Sequence, residues 1–259
     1  CSKCGGRTDA ESHLYWCPTC KVPIYSSNCE NCGREGTEFA ADVRPVFPEE
    51  RLLIEILLGK PLAFIDSSVW AAAGDRYYVD GERINFSTIK HSEADANVIR
   101  CQWNEWSLRN SYETFNNYTE NFLKANRTRM DYIEMEAMQY IQNVAGNFDV
   151  GSMFVSFSGG KDSTVVSDLV MRALGCSDIL HIFGNTTLEF PQTINYVDAF
   201  RKDHPTTPVL RAANRQQDFY ALCELFGPPS RMLRWCCTIF KTGYIGDKIK
   251  RTFADAKQV

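Results

Sequence analysis

The sequence predicts an α/β protein with a parallel sheet and crossover helices in its C-terminal part, preceded by smaller modules. Residues 153–157 are typical of a short strand, and an amphipathic helix and a second strand at residues 179–183 follow. Because strand, helix and strand in this order form a right-handed crossover unit, they predict parallel pairing. Upstream, three Cys-x-x-Cys pairs predict a small ribbon, and residues 39–150 show short strand patterns and then helical ones.

We therefore expect four parts: a cysteine ribbon at 1–38, a small β-rich accessory module at 39–97, a helical segment at 98–150, and an α/β domain at 151–259 that is open to continuation beyond residue 259. The hydrophobic fraction of 44% suits a globular core. No apolar run reaches the roughly 18 residues of a membrane span, and the first residues are unlike a signal peptide. These features predict a soluble cytoplasmic protein without a membrane partner. The net charge of -4 argues against a whole-surface nucleic-acid clamp.

The eleven cysteines indicate metal or redox chemistry rather than a disulfide framework. Each Cys-x-x-Cys pair forms a knuckle that directs two thiolates at one ion, and two knuckles close the tetrahedral site that zinc prefers. We favour the set Cys17, Cys20, Cys29 and Cys32. Pairing Cys1 and Cys4 with Cys17 and Cys20 is the alternative. Either site is predicted to be a structural staple, because so small a segment needs a metal to fold.

The middle of the chain has the sequence patterns of helices and strands but no motif that predicts a chemical function. A helix is predicted at residues 52–58, and strands at 62–65, 69–71, 77–79 and 83–86. We expect this module to have a packing or spacer role, with an RNA-binding or DNA-binding accessory role as the alternative. In the helical segment Trp103 and Trp106 are expected to anchor a helix rather than stack on a base. A stripe spaced by threes and fours is predicted to be core, and it consists of Met130, Ile133, Ala137, Tyr140 and Val144.

The stretch after the strand at 153–157 has the chemistry of a phosphate site. Gly159 and Gly160 let the backbone approach an anion, and the helix that follows presents unpaired N–H groups. Lys161 adds a charge, while Ser158 and Ser163 add hydroxyl donors. The pattern is neither a Walker A loop nor a Gly-x-Gly-x-x-Gly dinucleotide motif. For the helix itself, the apolar face is predicted to contain Val165, Leu169 and Ala173, with Val166 and Val170 nearby and Gly175 at its end.

These residues resemble the PP-loop adenine-nucleotide α-hydrolase superfamily, and within it the phosphoadenosine phosphosulfate (PAPS) reductase family. The likeness covers roughly residues 150–245 and rests on three segments: residues 156–163, residues 183–193, and the Cys-Cys-Thr-Ile-Phe-Lys element at 236–241. The cysteine ribbon followed by residues 42–48 is also similar to the front end of zinc-ribbon members of that group. The resemblance implies a PP-loop, Rossmann-like domain.

The resemblance also implies ligands. It implies an adenylyl group on residues 158–163, with adenine near residues 154–156 and 183–185. It also makes Arg231, Arg234 and Lys241 candidates for contacting the distal phosphate or sulfate. Lys161, Ser163 and Asp162 are the predicted catalytic residues, with Asp162 capping the helix or approaching Mg²⁺. The complete predicted nucleotide-binding set is Ser156, Ser158, Gly159, Gly160, Lys161, Asp162, Ser163, Asn185, Arg234 and Lys241.

Three departures bear on mechanism. Asn185 stands where the family has Asp, and Phe240 where it has Arg before the motif lysine. In cluster-bearing relatives a Cys-Cys pair joins a later Cys-x-x-Cys on a [4Fe–4S] cluster, so Cys236 and Cys237 would hold one only if further cysteines lie beyond residue 259. The intact turn with Lys161 and Ser163 favours ATP over a preformed adenylyl sulfate.

Three functions remain open at this point. The first is an enzyme of sulfur metabolism or sulfur transfer that binds ATP or an adenylyl sulfate and adenylates an acceptor with pyrophosphate release, with a nucleic acid or a sulfur carrier as partner. The second is a sulfonucleotide reductase that releases sulfite. The third is a zinc-ribbon module that binds nucleic acid and senses a nucleotide.

Overall fold

The computed structural model describes residues 13–40, 42–84, 95–214 and 216–254. The Cys1/Cys4 pair and the end of the strand predicted at 83–86 lie outside these ranges. The chain divides into two compact units, Cys1–Tyr132 and Ile133–Val259. The finer division into four parts stays a prediction.

The first unit contains two small antiparallel sheets and several α-helices. The first sheet has the order β2-β1-β3 and the second the order β4-β5-β6-β7. Its strands are β1 Leu14–Cys17, β2 Val22–Ile24, β3 Thr37–Ala40, β4 Val43–Pro45, β5 Val69–Ala72, β6 Arg76–Val79 and β7 Glu82–Arg83. Its helices are α1 Pro48–Leu57, α2 Ala96–Trp106, α3 Glu113–Ala125 and the first part of α4 Arg127–Ala145. The N-terminal region is therefore β-rich, as predicted.

One strand prediction in this unit is wrong. Residues 62–65 form turns, and Leu62 has a positive φ of 62° that extended strand residues do not adopt. The cause is the buried carboxylate of Glu55, which accepts hydrogen bonds from the backbone N–H groups of Leu62 at 2.9 Å and Phe64 at 2.8 Å. Because that carboxylate satisfies the backbone donors, the segment needs no sheet partner.

The second unit contains a parallel sheet of three strands in the order β10-β9-β8. The strands are β8 Phe154–Ser156, β9 Leu180–Asn185 and β10 Val209–Ala213. The helices are the end of α4, α5 Lys161–Leu174, α6 Pro191–Asp203, α7 Phe219–Phe226, a π-helix Cys237–Gly243 and α8 Tyr244–Thr252. The prediction of an α/β fold with a parallel sheet and crossover helices is confirmed.

The apolar core of this unit lies between the sheet and α6. Phe157, Phe183, Val197 and Phe200 form a buried cluster, with Val209 packed against it. These residues come from the end of β8, from β9, from α6 and from β10. The sheet edge that carries the ends of β8 and β9 is consequently supported by α6.

Two predicted apolar faces are correct only in part: Ala173 on α5 is buried, and Leu169 on α5 and Met130 and Ala137 on α4 are half-buried. On α5, Val165 is 57% exposed and Val166 is also exposed, whereas Ser167 is fully buried. On α4, the side chains of Ile133, Tyr140 and Val144 are exposed rather than core. Both helices meet their neighbours through polar contacts that periodicity does not reveal.

Those contacts are specific. Gln142 on α4 donates from its side-chain amide to the Ala173 carbonyl at the end of α5, at 2.8 Å. Glu134 on α4 forms an ion pair with Arg172 on α5. Within the residues that the structure covers, none of the helices has both the length and the apolar composition needed to cross a bilayer.

Candidate functional site

The glycine turn, residues 158–160, connects β8 to α5. Gly159 has a φ of +72°, and a Cβ atom built on it would lie 2.8 Å from Cγ2 of Val197 on α6. Glycine is therefore required here twice, for the backbone conformation and for the close approach of α6. Gly160 is the N-cap of α5 and supplies no capping side chain. The first-turn N–H groups of α5 thus keep their capacity to bind an anion.

Ser158 and Ser163 hold the turn closed. The Ser158 N–H donates to Oγ of Ser163 at 3.2 Å, and the two hydroxyl oxygens are 3.1 Å apart. Ser163 also donates from Oγ to the Gly160 carbonyl at 3.0 Å. The two serines, which the sequence predicts as ligand donors, form hydrogen bonds within the turn and so fix its shape. A ligand phosphate would meet a preformed loop.

Lys161 and Asp162 are exposed side chains at the start of α5. Lys161 Nζ and Asp162 Oδ1 are 2.5 Å apart, and both side chains are more than four-fifths exposed. An exposed ion pair of this kind contributes little to stability, so either partner is available to a ligand. Ser156, at the end of β8, is likewise exposed. The structure brings the predicted set from Ser156 to Ser163 together at one edge of the sheet.

The segment that follows β9 begins at the same end of the sheet as the glycine turn. Asn185 accepts from the Thr187 N–H through Oδ1 at 2.8 Å, which makes a tight turn, and Thr187 has a φ of +65°. The Phe219 N–H at the start of α7 then donates to Oγ1 of Thr187 at 2.8 Å. An aspartate side chain could accept the same hydrogen bond from the Thr187 N–H. Asn185 therefore forms the turn that an aspartate would form, but it carries no negative charge.

The predicted basic residues of the C-terminal part are exposed, and no contact joins them to the glycine turn. Arg231 and Arg234 lie in the loop before the π-helix, and Lys241 lies within it. Among the described residues no hydrogen bond or ion pair connects these side chains to residues 158–163. The π-helix and α8 do pack against β9, and a Cβ on Gly184 would lie 2.7 Å from Ile245. π-helical turns are frequent at functional sites.

Within the described residues, the cysteines of the C-terminal part are not gathered into a group of three or more metal-ligating side chains. Cys236 and Cys223 pack against a buried cluster of Leu222, Trp235 and Phe240. Among the described residues, the one group of three or more metal-ligating side chains close enough to share an ion lies in the first unit. The conditional [4Fe–4S] cluster at Cys236 and Cys237 stays a prediction.

That group is Cys17, Cys20, Cys29 and Cys32, whose sulfurs all lie within 4.8 Å of one another. The Cys17 and Cys32 sulfurs are 3.5 Å apart, and those of Cys20 and Cys29 are 3.7 Å apart. A tetrahedral zinc with Zn–S bonds of about 2.3 Å requires S···S separations of about 3.8 Å. The thiol set therefore has the dimensions of a tetrathiolate site and is compatible with a zinc ribbon.

The two knuckles have matching backbones. The Lys21 N–H donates to the Cys17 carbonyl at 2.8 Å, and the Gly33 N–H donates to the Cys29 carbonyl at 2.7 Å. Lys21 and Gly33 both have positive φ, which turns each knuckle back toward its partner. Burial raises the pKa of the Cys20 thiol to about 12. Ionisation of that thiol at neutral pH requires a compensating cation, which a bound metal supplies.

Sequence reasoning missed two polar residues that organise these regions. Asn126, between α3 and α4, accepts from the Tyr25 N–H at 2.8 Å and donates to the Pro23 carbonyl at 2.9 Å, which fixes the loop between the knuckles. Tyr196 on α6 lies with its hydroxyl 3.0 Å from Oγ1 of Thr164, one turn into α5. Neither shows a local signal, because each partner is distant in sequence.

Comparison with known proteins finds a family match within the second unit. Residues 152–257 match the phosphoadenosine phosphosulfate reductase domain. Two uncharacterized proteins of Methanocaldococcus jannaschii are similar: MJ0066 is 31% identical over 144 residues, covering 56% of this chain and 29% of that protein. MJ0973 is 28% identical over 137 residues, covering 51% of this chain and 31% of that protein. The chain thus spans less than a third of the length of these relatives.

The range matched by the family model covers the glycine turn and the elements around it. The matched range begins just before β8 and includes the glycine turn, α5 and the segment after β9. A parallel sheet that carries a glycine turn and a helix N-terminus at the carboxyl ends of its strands is the expected architecture for an anionic ligand. Residues 152–257 match the phosphoadenosine phosphosulfate reductase domain, and this match places that part of the chain in the PP-loop superfamily.

Proposed function

We propose that this chain is a sulfur-metabolism or sulfur-transfer enzyme that binds ATP or an adenylyl sulfate at the glycine turn and, with ATP, adenylates an acceptor with release of pyrophosphate. One observation carries the proposal: Gly159 packs closely against Val197, and it is followed by the N-terminus of α5, which has no capping side chain. This arrangement leaves backbone N–H groups and the exposed Lys161 beside one another. Such a cradle suits the phosphates of an adenine nucleotide.

In the proposed reaction an acceptor oxygen attacks the α-phosphorus of ATP. A bond forms between that oxygen and phosphorus, the bond between the α-phosphorus and the bridging oxygen breaks, and the electron pair leaves with pyrophosphate. Lys161 and the first N–H groups of α5 stabilise the charge that develops on the phosphoryl oxygens. A sulfur nucleophile, from a sulfur carrier, then displaces AMP from the acceptor, for which a nucleic-acid base is one candidate.

Two metals enter this proposal in different roles. Asp162 is an exposed carboxylate beside the turn, and one carboxylate together with ligand phosphates is a common Mg²⁺ environment. Bound there, Mg²⁺ would neutralise phosphate charge. Zinc is proposed for Cys17, Cys20, Cys29 and Cys32, because a closed set of four thiolates is the structural type of zinc site.

The central test is nucleotide binding and turnover by the purified protein. We expect calorimetric affinity for ATP, and Lys161→Ala should weaken it about tenfold to a hundredfold because one charged contact is lost. Lys202→Ala is the matched control: Lys202 is also exposed, but lies in the last turn of α6. Absence of affinity for ATP, AMP and adenylyl sulfate in the unmodified protein would refute the proposal.

A sulfonucleotide reductase is the second candidate, favoured by the domain match and the adjacent Cys236 and Cys237. In that reaction a thiolate attacks the sulfur of adenylyl sulfate or PAPS, the adenosine phosphate leaves, and a second thiol releases sulfite as a disulfide forms. Incubation with adenylyl sulfate and dithiothreitol without ATP distinguishes the candidates. Sulfite under these conditions supports the reductase, whereas ATP-dependent pyrophosphate supports adenylation.

A nucleic-acid-binding ribbon that senses the nucleotide is the third candidate, and its motivation is the cysteine site. It predicts salt-dependent affinity for nucleic acid together with nucleotide binding that produces no turnover. Filter binding at two salt concentrations, with pyrophosphate and sulfite assays on the same preparation, separates it from both enzymes.

A further inference from the structure

A buried hydrogen bond joins α5 to the central strand of the parallel sheet. Oγ of Ser167 lies 2.7 Å from Nε2 of His181 on β9, and both residues are fully buried. Nδ1 of His181 lies 2.8 Å from the Ile179 carbonyl oxygen. Since a carbonyl can only accept, Nδ1 carries the proton, and the Nε2 lone pair accepts the hydroxyl hydrogen of Ser167. The chemistry of the pair thus sets its direction.

The surroundings keep this histidine neutral. Phe157 and Phe200 pack around the imidazole, with ring centroids at 5.6 and 5.8 Å. Burial lowers the pKa of His181, and the nearby His204 lowers it further. A neutral imidazole is the form that can accept from Ser167, so the environment and the hydrogen bond agree.

Ser167 occupies the helix position that faces the sheet. It lies four residues after Ser163, hence on the same face of α5 and one turn further along. Ser163 braces the glycine turn through the Ser158 N–H, and Ser167 ties the next turn of the same face to β9. A crossover helix normally places an apolar residue at such a position, and a larger apolar side chain would bury more surface there. Maximal stability therefore does not account for the serine.

We propose that Ser167 and His181 are positioning residues: their hydrogen bond sets the rotation and axial placement of α5 against β9 and thereby aims the first-turn N–H groups and Lys161 at the ligand phosphates. Ser167 follows Lys161 by six residues, about 9 Å along the helix axis. A hydrogen bond is directional and therefore fixes α5 in one placement against β9. Apolar contacts are interchangeable and would allow the helix to shift. The inference rests on the proposed function for its ligand, but its effect on α5 is measurable without one.

The experiment distinguishes a positioning role of Ser167 and His181 from a role in which each side chain only satisfies the buried polar group of the other. Ser167→Ala alone leaves Nε2 of His181 without a donor, whereas Ser167→Ala with His181→Leu removes both polar partners. We expect the double variant to recover most of the thermal stability lost by the single variant. We also expect it to bind ATP about tenfold more weakly than the unmodified protein, because small displacements of binding groups are costly.

Thr207→Val is the matched control. The Thr207 hydroxyl is buried and donates to the Ser177 carbonyl at 2.7 Å, in the connections before β9 and β10 rather than at the glycine turn. We expect a loss of thermal stability comparable to that of Ser167→Ala, with ATP affinity within about twofold of the unmodified protein. If the double variant bound ATP normally, or if Thr207→Val weakened binding equally, the positioning role would be wrong.

Amide hydrogen exchange provides the readout that needs no nucleotide. In the double variant the amides of residues 164–168 should exchange faster, while those of β9 stay protected. Thr164 is the first residue of α5 whose N–H donates within the helix, to the Gly160 carbonyl. Unchanged exchange at residues 164–168 overturns the inference whatever the binding data show. Faster exchange in a protein whose unmodified form binds no adenine nucleotide would support the positioning role and refute the proposed function.

Discussion

The cysteine site and the glycine turn are two candidate binding regions built in opposite ways. The four thiols of the first unit come from two local knuckles, and each knuckle is closed by a hydrogen bond within five residues of chain. The glycine turn of the second unit takes its shape from Val197, which is 38 residues beyond Gly159 in the sequence (197 minus 159). The comparison teaches that a metal site can be encoded locally, whereas a phosphate cradle requires the packed sheet.

The largest expected effect is at the cysteine site. Cys29→Ser should abolish metal binding and unfold the ribbon, because structural zinc contributes on the order of 10 kcal/mol to such modules. Metal content by atomic emission and thermal unfolding by circular dichroism measure both effects. Cys101→Ser is the matched control, since Cys101 is exposed and free. A Cys29→Ser protein that kept one equivalent of zinc would show that the site is not this set.

Gly159→Ala should have the next largest effect. The new methyl group would lie 2.8 Å from Cγ2 of Val197 at a positive φ, so we expect a loss of about 2–4 kcal/mol and at least tenfold weaker ATP binding. Gly175→Ala is the matched control, because Gly175 also has a positive φ but has no atom within 4 Å of the new Cβ. It should cost about 1 kcal/mol and leave affinity unchanged. Urea unfolding and calorimetry measure both variants, and equal losses of affinity would contradict the packing argument.

The pH dependence of the second unit should be smaller and should trace to His181. The folded state lowers its pKa, so its contribution to stability is complete above the ordinary histidine value of 6.5. As pH falls below 6.5 the unfolded chain binds the proton first, and stability decreases by on the order of 1 kcal/mol. Urea unfolding at pH 7.5 and 5.5 measures this, with the double variant Ser167→Ala and His181→Leu as the reference. Identical pH dependence in both proteins would exclude His181 as the cause.

The smallest expected effect concerns the outer face of α5. Val165 is exposed, so Val165→Ser should change the free energy of unfolding by less than about 0.5 kcal/mol. Thermal unfolding compared with that of Ser167→Ala measures the contrast between the two faces. A larger loss for Val165→Ser would mean that this face is covered in the folded protein.

Much of the fold and part of the site could be predicted because their signals are local. The strand at residues 153–157 appears as β8, the helix after it ends at Gly175 in the left-handed conformation, and the following strand appears as β9. The thiol spacing selects four cysteines that the structure brings within reach of one ion. The roles of Arg234 and Lys241 stay predictions, since a ligand that spans the site would have to connect them to Lys161.

The sequence alone determined the glycine turn, its lysine, the cysteine knuckles and the strand, helix and strand order of residues 153–183, because these depend on residue types a few positions apart. Only the tertiary structure decided which faces are buried. It placed Ser167 rather than Val165 against the sheet, left Tyr140 exposed, and turned residues 62–65 around Glu55. The physical reason is that a buried polar group is tolerated only where a partner from a distant segment satisfies it. Such partners exist only once the chain has folded.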